Sequence, residues 1–97
     1  MYARVATWEG GDADEIRKAV EEINSRVDSG PPEGVPSKGF TLLIDPENGR
    51  TIAVGLFETE EDYRKGDETL NSMDPPGGSM GRRISVDKYE VGVDVRL

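Results

Sequence analysis

Three side chains in this sequence have both the type and the position to do more than hold a fold. Trp8, the only tryptophan, stands two residues before the pair Gly10-Gly11. An indole there can stack on a flat ligand, or it can seal the end of a core. Asn24 flanks an apolar helical stripe, where its amide serves either as a polar ligand anchor or as an ordinary helix-side group. Tyr63 falls on the apolar stripe of a second helix and suits either proton transfer or core packing with its hydroxyl at the rim. Taken together, the three are expected to line one ligand-binding cavity between sheet and helices.

Other chemistries are closed by residue type. The chain contains neither Cys nor His, which removes thiolate nucleophiles, disulfides, zinc clusters and imidazole bases. No metal site is expected, and no catalytic residue follows from spacing alone. Gly77-Gly78-Ser79-Met80-Gly81 matches the nucleophile-elbow pattern G-x-S-x-G by letter. That turn needs a strand before the serine, a helix after it and a histidine partner. Here a helix precedes and a strand follows, so the segment reads as a loop. It runs into Arg82-Arg83 without a following helix N-terminus to help hold an anion. In Asp45-x-Glu47-x-Gly49 the glycine comes one position early for a calcium loop, and the acidic run Glu58, Glu60, Glu61, Asp62 reads as a charged helix start.

Periodicity supplies the elements that must position these residues. Tyr2 to Trp8 reads as a strand stopped by Gly10-Gly11. Asp12 is then a natural N-cap with Glu15 three residues on, and Ala13, Ile16, Val20, Ile23 and Val27 draw one apolar stripe down a helix, expected to be buried on the sheet. Gly30 to Gly39 is a Pro/Gly connection. Phe40 to Asp45 and Thr51 to Phe57 follow as strands, joined by a turn carrying Asn48-Gly49. Thr59 caps a second helix with stripe residues Tyr63, Leu70 and Met73, and Gly66 weakens its middle. After a loop over 74–81, Arg83 to Val95 reads as a last strand with a bulge near Asp87-Lys88. Both Pro/Gly connections are expected to be the most mobile parts of the chain.

The order β-α-β-β-α-β defines an α+β, ferredoxin-like fold: a four-stranded antiparallel sheet with two helices on one face, in one domain spanning 1–97. Hydrophobic residues make up 34% of the chain and charged ones 33%, and 12 Lys and Arg against 20 Asp and Glu give a net charge of −8. Such a surface repels phosphate backbones and anionic lipid, so neither nucleic acid nor membrane is an expected partner. No apolar run approaches the roughly 20 residues of a membrane span, the first residues do not form a signal peptide, and a cytoplasmic location is expected.

Two strands do not alternate as a half-covered sheet demands. Leu42-Leu43-Ile44 and Ile52-Ala53-Val54-Gly55-Leu56-Phe57 are apolar on both faces. The helices cover one side, and the economical cover for the other is a second copy, sheet against sheet, in a homodimer. The alternative is a monomer that tolerates Leu43 and Phe57 on its outer face.

At this level the sequence resembles the dimeric α+β barrel superfamily, and within it the antibiotic biosynthesis monooxygenase-like domains. The resemblance is carried by Ala3-Arg4-Val5-Ala6-Thr7-Trp8-Glu9-Gly10, by Gly39 to Arg50, by Leu56-Phe57-Glu58-Thr59-Glu60-Glu61-Asp62 and by Val86-Asp87-Lys88-Tyr89-Glu90-Val91. It implies a homodimer binding a small aromatic or polyketide-like metabolite. Should it be catalytic, it implies oxidation without metal or organic cofactor, with Trp8 stacking, Asn24 anchoring and Tyr63 moving a proton. The superfamily also contains haem degraders, for which this chain has no histidine axial ligand, and non-catalytic stress-type or ligand-carrying dimers, the alternative reading.

Overall fold

The computed structural model describes residues 1–26, 30, 34–72 and 81–95. Its elements are β1 (Tyr2–Gly10), α1 (Ala13–Ser25), β2 (Gly39–Asp45), β3 (Arg50–Phe57), α2 (Glu60–Asn71) and β4 (Gly81–Glu90), with a 3-10 turn at Pro46–Asn48 between β2 and β3. The four strands form one antiparallel sheet in the order β2-β3-β1-β4. This is a small α+β fold consistent with the ferredoxin-like arrangement.

Both helix starts form for the local reasons the sequence supplies. The Asp12 carboxylate accepts the N–H groups of Asp14 and Glu15, at 3.1 and 3.3 Å. Thr59 Oγ1 accepts the N–H of Asp62 at 3.1 Å. Each satisfies amides that a helix start leaves bare. The β2–β3 turn closes with Asn48 Nδ2 donating to the Asp45 carboxylate at 2.8 Å and Gly49 in the left-handed region at φ 66°. Only glycine fits there, because a Cβ would also meet the Gly11 backbone. The Gly11 N–H donates to the Gly49 carbonyl at 3.0 Å, tying this turn to the β1–α1 turn.

Several expectations need correction. In α1 the fully buried residues are Ile16 and Ala19, while Val20 and Ile23 are only half-buried. The most buried face is therefore rotated from the Ile16-Val20-Ile23 stripe toward Ala19. Val27 and Met73 lie outside the described residues. The last strand ends at Glu90, not Val95, because β1, the strand it pairs with, runs out opposite it at Tyr2. The bulge falls at Ile84, between the pairs Thr7–Ser85 and Trp8–Arg83, and Asp87 and Lys88 stay in register with Val5 and Arg4. The apparent break from Val86 to Tyr89 is a change of face, not an extra residue. Of the two loops expected to be mobile, 31–33 and 74–80 lie outside the described residues. The described part of the first is packed: Val35 is buried and the Lys38 N–H donates to the Leu56 carbonyl at 2.7 Å.

Pairing sorts the side chains onto two faces. Tyr2, Arg4, Ala6 and Trp8 of β1 share the helix side with Thr51, Ala53, Gly55 and Phe57 of β3, because Arg4 reaches Asp67 on α2. A core of Val35, Phe57 and Tyr63, with Tyr2 and Leu70 against it, forms where α2 crosses the sheet. Gly66 is the reason α2 comes so close. A Cβ there would sit 2.6 Å from Phe57 Cζ and closer still to Cε1, and the ring is fully buried. The glycine that weakens the isolated helix thus serves its docking. Gly66→Ala is expected to lower stability by about 1–2 kcal/mol, even though alanine is the better helix former by ~1 kcal/mol. A urea midpoint at or above that of the wild type would show that the ring has room.

Candidate functional site

Trp8 is half-buried on the helix side of β1, with Thr51 of β3 and Arg83 of β4 as its cross-strand neighbours. Thr51 is buried to 1% exposure, and its hydroxyl has no hydrogen-bond partner among the described residues. Tyr63 lies elsewhere. Its ring meets Phe57 edge-on at 5.6 Å between centroids, in the cluster that also touches Tyr2. Tyr2 and Trp8 are six residues apart on one strand, about 20 Å. The structure therefore does not bring Trp8 and Tyr63 into one cavity. Asn24 is exposed on α1.

The surroundings of Tyr63 define what it can do. Burial, and after it the carboxylate of Asp67, push its hydroxyl above the ordinary tyrosine value, with Arg4 pulling the other way. The phenol therefore stays protonated at neutral pH and is poorly placed to act as a base. Lys88 lies over the rings of both Tyr2 and Tyr63, at 5.1 and 5.3 Å, while its ammonium pairs with Glu60 at 3.1 Å. This cation closes the outer side of the aromatic cluster.

Between these two ends runs a polar network that sequence reasoning did not single out. Arg4 is buried, and its Nε donates to Asp67 Oδ1 at 2.8 Å while Nη2 donates to Asn71 Oδ1 at 3.1 Å. The same Asn71 oxygen accepts from Arg83 Nη1 at 2.9 Å. One amide thus joins β1, α2 and β4. The available signal was a lone arginine among the apolar alternate positions Tyr2, Ala6 and Trp8, a place where a charge needs a partner across the interface.

Neither of two surface hollows found among the described residues is lined by Trp8, Asn24 or Tyr63. A shallow surface hollow of about 280 Å³ is lined by Gly34, Val35, Pro36 and Lys65. A smaller one of about 140 Å³ lies at the β2–β3 end, beside Leu43, Ile44, Asp45, Arg50 and Ile52. Among the described residues no group of three or more acidic side chains is arranged to hold a metal ion, and no helix is long and apolar enough to cross a membrane. No protein-family model matches the chain, and no curated protein matches its sequence.

Proposed function

We propose that this chain is the subunit of a homodimeric α+β barrel, with two sheets packed through the faces that the helices leave open, and that it acts as a non-catalytic, ligand-carrying dimer. The observation that carries the reading is the composition of that open face. Register places Val5 of β1, Ile52, Val54 and Leu56 of β3, Leu43 of β2 and Tyr89 of β4 side by side on it. Leu43 and Tyr89 are more than half exposed in the single chain. A contiguous apolar layer of this kind is what a sheet buries against another sheet. The distance between Trp8 and Tyr63, and the packing of Tyr63 against Phe57, favour carriage over cofactor-free oxidation of an aromatic or polyketide-like metabolite. The hollow beside Val35, close to the lower size of small-molecule sites, is the place for a small ligand.

Sedimentation equilibrium at micromolar concentration is expected to give a dimer, and Val54→Asp, at the centre of the open face, a folded monomer. A monomeric wild type would sink the dimer. Oxygen-electrode assays with anthrone- and quinol-type compounds are expected to show no uptake above background. Sustained uptake would return the oxygenase reading with Trp8 as its stacking residue.

A further inference from the structure

Lys88 stands where a bound cation would stand. Its ammonium is 5.1 Å from the centroid of the Tyr2 ring, 5.3 Å from that of Tyr63 and 3.1 Å from Glu60 Oε1. Two aromatic rings and a carboxylate thus converge on one positive charge. The rings are held in place from behind, since Tyr63 is buried edge-on against Phe57 and Tyr2 packs on the same cluster. Glu60 belongs to the first turn of α2, where Thr59 caps the helix. The surrounding charges favour a cation as well. Glu90 lies cross-strand from Tyr2, while Arg4, cross-strand from Lys88, is engaged by Asp67 at 2.8 Å. A net charge of −8 adds a field of the same sign.

The lysine holds this place weakly. Its side chain is 40% exposed and that of Glu60 59%, and an ion pair so open to water contributes little while it costs rotamer freedom. The side chain can swing into solvent while the Lys88 backbone stays paired with Arg4 in the sheet. Two ring faces and a carboxylate are then left without their cation. Calcium and magnesium ions do not suit such a place, because they require about six oxygen ligands. An alkylated ammonium does. It is weakly hydrated, it presents methyl groups to the ring faces, and it has about the bulk of the side chain it replaces. We propose that Tyr2, Tyr63 and Glu60 form a binding site for a quaternary ammonium group, and that Lys88 is the chain's own occupant, displaced by the ligand. The site shares no residue with the hollow beside Val35.

The test titrates tetramethylammonium chloride into the full chain, with potassium chloride at equal ionic strength as the control for screening. In proton NMR the ε-methylene protons of Lys88, shielded by two rings, are expected to move toward the free-lysine value with tetramethylammonium and to stay in place with potassium. The ring protons of Tyr2 and Tyr63 should shift in the same titration. Calorimetry supplies a second readout. Lys88→Ala, which removes the occupant, is expected to bind tetramethylammonium about tenfold more tightly than the wild type, and adding Tyr2→Leu should abolish that gain. Lys18→Ala, the same charge change on the exposed side of α1, should bind as the wild type does. Choline should bind Lys88→Ala about tenfold more tightly than its uncharged isostere, in which a tert-butyl group replaces the trimethylammonium. The site is overturned if potassium releases Lys88 as readily as tetramethylammonium does, if Lys88→Ala binds no more tightly than the wild type, or if choline and its isostere bind alike. Lys88 would then be only a cover over the aromatic cluster.

Discussion

Phe57→Ala is expected to cost about 3–5 kcal/mol, a large part of what a domain of this size has. Phe57 is fully buried, meets Tyr63 edge-on, and fills the space that Gly66 leaves on α2. Alanine would open a cavity between sheet and helix, and α2 cannot settle into it without straining the Arg4–Asp67 contact at the residue next to Gly66. Phe40→Ala is the matching control, with the same residue type on the same sheet but 55% exposed. It should change stability by less than about 1 kcal/mol in the subunit. Urea unfolding of the two variants decides the matter, and equal losses would mean that the core is not where α2 crosses β3.

The second large effect belongs to the buried arginine. Asp67→Ala leaves the Arg4 guanidinium buried with, among the described residues, only the Asn71 amide oxygen as a hydrogen-bond partner, and about 3 kcal/mol should be lost. That figure stands at the low end for broken buried pairs because the Asp67 side chain is 32% exposed. Removing both charges is a different experiment. Arg4→Met with Asp67→Leu is expected to fall within about 1 kcal/mol of the wild type, since an unbranched apolar chain fills the same channel without desolvating a charge. A double variant as unstable as Asp67→Ala alone would show that the pair stabilises the fold beyond avoiding an orphaned cation.

What could be read from the sequence was what is decided locally. Asp12 and Thr59 cap their helices as expected because an N-cap depends on two or three neighbouring residues. The strand and helix order followed from periodicity for the same reason. What required the third dimension went astray. The most buried residues of α1 are Ile16 and Ala19, a face that the stripe pattern alone did not single out. Gly66 looked like a flaw in α2 until Phe57 was placed beneath it. The bulge at Ile84 and the end of β4 depend on register with β1, which no local pattern encodes. The candidate residues follow the same rule: Trp8 and Tyr63 each lie on the expected element. Their separation became visible only when Tyr2, and not Trp8, proved to be the strand residue against Tyr63. Arg4 is more than sixty residues from Asp67 and Asn71, so its place among apolar positions calls for a partner without saying which.

The central place of β1 has a consequence for how this protein is made. Its partners are β3 and β4, so that Tyr2 lies opposite both Phe57 and Glu90. On a ribosome adding roughly 5–20 residues per second, the first strand therefore waits about 4–20 s for its last neighbour to be synthesised. During that interval β2 and β3 can already pair through their short turn, whereas Tyr2 to Trp8 still lacks the strand that covers its other edge. A chaperone that binds short extended apolar segments would find this stretch available throughout that interval. Slowing translation across codons 73–80 would prolong that exposure.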